Sequence, residues 1–190
     1  MWKRAIRVKR IRPEPARARN PAFPMRTEFT GPKPRRILFV CLGNICRSPA
    51  AEGVFAKLAT EAGLAKAGVT WDSCGTGGWH AGELADPRMR AAAKRRGYEL
   101  THNARQLRPE DFADFDLIVT MDEDNFSRVR KLAPDRAAQA KLSPMAHWLK
   151  KHEAGRIPDP YYDGPEAFEH VLDLLEDACA GLIAALSKGH

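Results

Sequence analysis

In the stretch ILFVCLGNICRSPAAE, residues 37–52, two cysteines stand five positions apart, Cys41 and Cys46, and Arg47 follows the second directly. A thiolate is the strongest nucleophile among the side chains, and a guanidinium fork matches two oxygens of a phosphate. Four apolar residues run into Cys41 and a helical pattern begins at Ser48, so the loop between turns from a strand into a helix N-terminus. Such a turn points several backbone N–H groups inward and makes a nest for an anion. Gly43 permits unusual backbone conformations, and Asn44 tolerates the left-handed region while bonding through its side chain. Ser48 suits the N-cap and Pro49 the first helical position. Leu42, Gly43, Asn44, Ile45 and Cys46 therefore line a cradle for a tetrahedral dianion, with Cys41 at its floor.

The same N–H groups, the helix dipole and Arg47 all favour negative charge on the Cys41 sulfur. Sites of this kind bring a thiol from about 8.5 to about 3.5–7.5. A sulfur anion so placed is set for in-line attack on phosphorus. A bare Cys-x5-Arg carries little information; the apolar strand before it, Gly and Asn inside it, and Ser-Pro with a helix after it give the pattern its strength. Expelling an aryl oxide also needs a proton, and DPYYDG at 159–164 offers Asp159 as the donor. Pro160 keeps Asp159 out of the helical region and stiffens the loop. Tyr161 and Tyr162 offer aromatic walls to a phenyl phosphate long enough to carry its phosphate to the floor. Nucleotide sites are excluded. The triphosphate loop needs a second Gly followed by Lys and Ser/Thr, and GTGG at 75–78 fails the dinucleotide fingerprint because position 80 is His.

The elements that must position these groups follow from periodicity. Residues 37–41 read as a strand covered on both faces, and a helical apolar stripe runs over 51–62. Further strands are expected at 69–74, 115–121 and, more weakly, 140–143; helices at 87–96 and 123–132, a short one around Trp148, and a last one from about 165 to 186. Strands alternating with helices predict a three-layer α/β fold, a parallel sheet flanked by helices on both faces, with the site beyond the carboxyl ends of the strands.

Composition sets the outer bounds. At 190 residues and 44% hydrophobic the chain suits one domain, and no apolar run approaches the roughly 18–20 residues of a membrane span. Four scattered cysteines do not make a disulfide scaffold and point to a reducing cytoplasm. Twelve of the 31 basic residues and two of the 24 acidic ones lie in residues 1–36, so the net +7 charge belongs to the leader and the remainder is slightly acidic. That rules out reading the main body as a nucleic-acid binder. Residues 1–34, rich in Pro and Arg, are expected to be disordered and lack a signal-peptide core. One reading makes them a basic arm for nucleic acid or an anionic membrane; the others are a solvated tail, or an upstream start with Met25 the true beginning. The domain is placed at 35–190.

VCLGNICRSPAAEGVF, WDSCGTGGWHAGELADPR, HNARQL, DFADFDLIVTMDEDN and DPYYDG, in that order, resemble the low-molecular-weight protein tyrosine phosphatases, especially the branch shared by eukaryotic and some bacterial enzymes. The resemblance runs from about 36 to 186. It implies a four-stranded parallel sheet and hydrolysis of phosphotyrosine in proteins through a phosphocysteine, without metal or cofactor; the oligomeric state stays open, with a monomer favoured. It implies Cys41 as nucleophile, Arg47 as phosphate clamp, Asp159 as acid and then base, and Ser48 assisting the sulfur. Asn44, Ser73 and His102 fall where the family props its loop. Leu42, Trp79, Tyr161 and Tyr162 would wall the entrance, and Ile45 stands where related arginine phosphatases carry Thr. Asp163 before Gly164 departs from the commoner pattern.

Arsenate reductases share the cradle but need further cysteines near mid-chain; Cys74 alone is available, and Asp159 would have no purpose. A phosphate-binding adaptor would need the fork but neither nucleophile nor acid. Cys46 has two readings, a small residue that fills the loop or a thiol that closes a reversible disulfide on an oxidised Cys41; Cys74 and Cys179 read as packing residues.

Overall fold

The computed structural model describes Phe29 and residues 32–188. Most of the leader thus lies outside the described residues. Four strands form one all-parallel sheet in the order β2-β1-β3-β4: β1 Arg36–Cys41, β2 Thr70–Gly75, β3 Leu117–Thr120 and β4 Leu142–Pro144. The helices are α1 Arg47–Glu61, α2 Pro87–Arg95, α3 Asp111–Asp114, α4 Glu123–Leu132, α5 Arg136–Gln139 and α6 Pro165–Ser187, with a 3-10 turn at Met145–Trp148. The expected fold class and element order are found. The strands are shorter or shifted by one to two residues, and α3 and α5, four residues each, are too short to show a period.

β1 is central because its side chains are apolar on both faces. Ile37 and Phe39 join the larger core with Phe55, Leu172 and Leu175, under α1 and α6. Leu38 and Val40 join a smaller core with Phe112, Ile118 and Val129, under α3 and α4. Each such side chain buried contributes about 1.5–3 kcal/mol. The stripe of α6 is buried along its length, from Phe168 through Leu175 to Leu182. Its backbone passes so close to the 3-10 turn that a Cβ at Gly181 would lie 1.9 Å from the Trp148 carbonyl oxygen. Arg96 fastens the end of α2 to α6 through Glu169 and Asp173, both at 2.7 Å.

Phe29 and Pro34, which the sequence reading assigned to the leader, pack on this body. Phe29 stacks on Trp148 with ring centroids 5.4 Å apart, Pro34 is buried, and Lys33 Nζ donates to the Leu186 carbonyl at 2.7 Å. Among the described residues no helix is long and apolar enough to cross a membrane.

Candidate active site

The carboxyl ends of β1 and β3 and the loop before α6 converge on Arg47. Cys41 ends β1, and residues 42–46 turn the chain into α1. Asn44 takes the left-handed conformation, φ 59°, and is fully buried. Its side chain pays for that turn with three bonds: Nδ2 donates to Ser48 Oγ and Ser73 Oγ, each at 2.9 Å, and Oδ1 accepts from Arg105 N at 2.9 Å. Its own N–H donates to the Cys41 sulfur at 3.3 Å. Ser48 Oγ lies 3.0 Å from the same sulfur and 3.2 Å from the Cys74 carbonyl. With Asn44 filling an acceptor site on Ser48, the hydroxyl hydrogen is free to point at sulfur. Ser73 Oγ in turn donates to Glu52 Oε2 at 2.6 Å. The polar chain Glu52–Ser73–Asn44–Ser48 therefore ends on the Cys41 sulfur.

Two sequence expectations change here. Ser48 is not the N-cap: α1 begins at Arg47, Cys46 precedes it, and no side chain caps the helix. The Ser48 hydroxyl is spent on the sulfur, and the first-turn N–H groups stay open to a ligand. Pro49 is accordingly the third helical residue, still where an N–H has no intrahelical partner. Gly43 does not take a positive φ. A Cβ there would come within 3.1 Å of the His80 ring, which would have to shift by a few tenths of an ångström to admit it. Among the described residues, the N–H groups of Gly43, Ile45 and Cys46 bond to no protein acceptor.

Arg47 is almost fully buried. Nη1 is held by Asp122 and donates to the Ile157 carbonyl at 3.3 Å, while Nη2 meets Asp159 Oδ2 at 2.5 Å. Asp122 is itself fixed as the N-cap of α4, its other oxygen accepting from Asn125 N at 2.7 Å. Burial alone would pull the guanidinium pKa down, but Cys41, Asp159 and Asp122 push it above its usual value, so the fork stays charged. Its Nε is buried without a partner among the described residues. An oxyanion over the sulfur would satisfy that donor and the open N–H groups together, and would compete with Asp159 for Nη2.

Residues 36–190 match the model of the low molecular weight phosphotyrosine protein phosphatase family. The chain belongs to that family. A Synechocystis relative is 48% identical over 155 residues, 80% of this chain and 97% of its own. The low molecular weight protein-tyrosine-phosphatase of Streptomyces coelicolor is 44% identical over 155 residues, 80% of this chain and 94% of its own. A crystal structure of a protein tyrosine phosphatase from Entamoeba histolytica with Hepes in the active site superposes with a TM-score of 0.78 at 42% identity, covering 81% of this chain and 97% of that one.

The phosphatase fold brings Cys41, Arg47, Ser48 and Asp159 together, with Asn44 and Ser73 behind them. His102 stands one step back, its Nδ1 3.4 Å from Asp72 Oδ1 and 3.6 Å from Glu52 Oε2. Glu52, Asp72 and His102 each place a donor atom within 4.8 Å of the others. Both carboxylates there already accept hydrogen bonds, from Ser73 and from Arg105 at 2.7 Å, so the trio fits a prop for the cradle better than a metal site. Burial pushes the Glu52 carboxyl above its ordinary range.

Of the expected walls, Ile45 is buried, Trp79 and Tyr161 are exposed, and Tyr162 is 95% exposed, touching the Tyr161 ring edge-on at 5.0 Å. Leu42 is half-buried, its carbonyl accepting from Gly77 N. Burial pushes the Cys46 thiol up, as it does those of Cys74 and Cys179. Cys74 packs on the opposite face of the sheet from Cys41, with Leu38 and Val40, which removes it as a resolving thiol. Cys179 packs between α6 and α1, facing the Ala51 carbonyl at 3.7 Å.

Sequence reasoning missed Asp122, Glu52 and Arg105. Asp122 carried a signal, a carboxylate just past the carboxyl end of a strand, where ligand-binding groups collect. Glu52 lies four residues after Ser48 and so shares its helix face.

Proposed function

We propose that the protein hydrolyses phosphotyrosine in proteins through a phosphocysteine on Cys41. The observation that carries this reading is the Cys41 sulfur, met by the Asn44 N–H and the Ser48 hydroxyl beside a buried guanidinium with one donor unspent. The thiolate attacks phosphorus as the bond to the tyrosyl oxygen breaks, and Asp159 gives its proton to that oxygen. Water, its proton taken by Asp159, then displaces the sulfur and inorganic phosphate leaves. The Ser48 hydrogen bond lowers the energy of sulfur as both nucleophile and leaving group. Arg47 and the loop N–H groups hold the equatorial oxygens, where charge accumulates. Leu42, Ile45, Trp79 and Tyr161 would flank the ring. A reaction that runs through a thiol suits a reducing, cytoplasmic setting.

Replacing Cys41 by Ser is expected to abolish turnover of para-nitrophenyl phosphate while vanadate binding persists. Residual turnover near wild type would undo the covalent route. Asp159→Ala is expected to slow phenyl phosphate by about 10²–10⁴-fold and dinitrophenyl phosphate far less. Equal slowing of both would remove Asp159 as the acid.

A further inference from the structure

Asp159 sits on a loop whose side chain remains 41% exposed, and its bond to Arg47 must be surrendered when an anion enters. Something else must then keep the carboxylate over the cradle. Arg88, near the start of α2, is placed to do it. Asp86 is buried and N-caps α2, and both its oxygens grip Arg88: Oδ1 to Nε at 3.0 Å and Oδ2 to Nη2 at 2.8 Å. The grip is bidentate, so the guanidinium plane is fixed rather than merely attracted. That plane lies over two rings, Tyr161 with Cζ 5.4 Å from its centroid and Phe168 at 4.8 Å. Phe168 is buried in the first turns of α6. Tyr161 is the exposed partner, and its backbone N–H donates to Asp159 Oδ1 at 3.3 Å.

The other end of this chain reaches the cradle. Asp86 N donates to the Ile45 carbonyl at 2.7 Å, inside the anion loop. One line of contacts thus runs from the loop through Asp86 and Arg88 to Tyr161 and so to Asp159.

We propose that Arg88 is a positioning residue for proton transfer: clamped by Asp86, it holds Tyr161 and through it keeps Asp159 over the leaving oxygen. The proposal rests on Asp159 being the acid. Arg88 touches no reacting atom, and its side chain is 48% exposed, so its removal leaves the core intact. Its effect belongs to the step that needs a proton. A good leaving group departs without one and should ignore Arg88; a poor one should not.

The test uses the full-length protein and kcat/KM for a series of aryl phosphates, which reports the step up to loss of the phenol. Arg88→Ala is expected to slow phenyl phosphate about 2- to 10-fold, the size of one or two cation–π contacts, and dinitrophenyl phosphate less than about 2-fold. Tyr161→Ala slows every aryl phosphate through the lost wall, but the additional dependence on leaving group should match that of Arg88→Ala. In the double variant that dependence should not grow further, because both act through one contact. Equal slowing of good and poor leaving groups by Arg88→Ala, or additive steepening in the double variant, would overturn the proposal. Asp159→Ala is run alongside. If it too lacks a leaving-group dependence, the assignment of the acid fails; if it shows one that Arg88→Ala does not, only the clamp fails.

Discussion

Asn44 carries both the backbone turn and the polar chain behind the sulfur, and two substitutions separate these roles. Asn44→Ala removes the donors to Ser48 and Ser73 and the acceptor for Arg105 N. Ser48 Oγ keeps the Cys41 sulfur and the Cys74 carbonyl and Ser73 Oγ keeps Glu52, so the cost sits at the low end of the range for a buried group left short, about 1 kcal/mol for each of three. Alanine at φ 59° adds about 1–2 kcal/mol of steric cost, for a total of roughly 4–5 kcal/mol. Asn44→Gly loses the same bonds without the steric clash, but gives the unfolded chain about 0.5–1 kcal/mol more entropy. Urea unfolding should therefore rank wild type above Gly, and Gly above Ala by up to about 1 kcal/mol. Turnover should fall in both, because Ser48, freed from Asn44, can turn its hydrogen to the Cys74 carbonyl instead of the sulfur. A displaced loop of this kind costs up to about 100-fold. Recovery of wild-type stability and turnover by Asn44→Gly would show that the left-handed turn alone matters and would refute the polar chain.

Gly181→Ala forces a Cβ against the Trp148 carbonyl, so the 3-10 turn must shift; a loss of about 3 kcal/mol, or about 6–12 °C in the melting midpoint, is expected, with turnover per folded molecule kept. A midpoint within a degree or two of wild type would contradict the packing. For Asp177, burial alone would raise the carboxyl pKa, but N–H groups of residues 150–152 and the His152 ring hold it below the ordinary range. A lowered folded pKa means stability that is present above the unfolded value of about 3.9 and lost as pH falls through the folded one. Asp177→Asn should thus melt lower than wild type at neutral pH, with the gap closing in acid; a gap that stays constant to the acid limit counts against the assignment. Mild peroxide should oxidise the Cys41 sulfur to a sulfenic acid that condenses with the Cys46 thiol, releasing water and leaving a disulfide that a dithiol reverses. Mass mapping that finds only sulfinic acid at Cys41 would exclude this.

The parts of the site legible in the sequence were those with local chemistry. A strand running into Cys41, a small-residue loop and Arg47 at a helix start are contiguous, and contiguity fixes their geometry. Asp159 was legible because Pro160 and two tyrosines mark its loop. Asp122, Arg105 and Arg88 were not, since each acts across more than thirty residues of intervening chain: Asp122 and Arg105 through the parallel register of β1 with β2 and β3, Arg88 through the packing of α2 beside the start of α6. Ser48 was misread for a related reason. Its position near a helix start suggests a cap, whereas the hydroxyl lies 3.0 Å from the Cys41 sulfur, the engagement that the family resemblance, and not the local pattern, implied.

The attachment of Lys33 to the last turn of α6 has a practical corollary. Asp159 precedes the first turn of that 23-residue helix, which spans about 34 Å, so Lys33 meets the body at the end of α6 remote from Asp159. A surface-immobilisation handle anchored at Lys33 would thus sit about a helix length from Asp159, whereas the same addition spliced near Tyr162 would stand beside it.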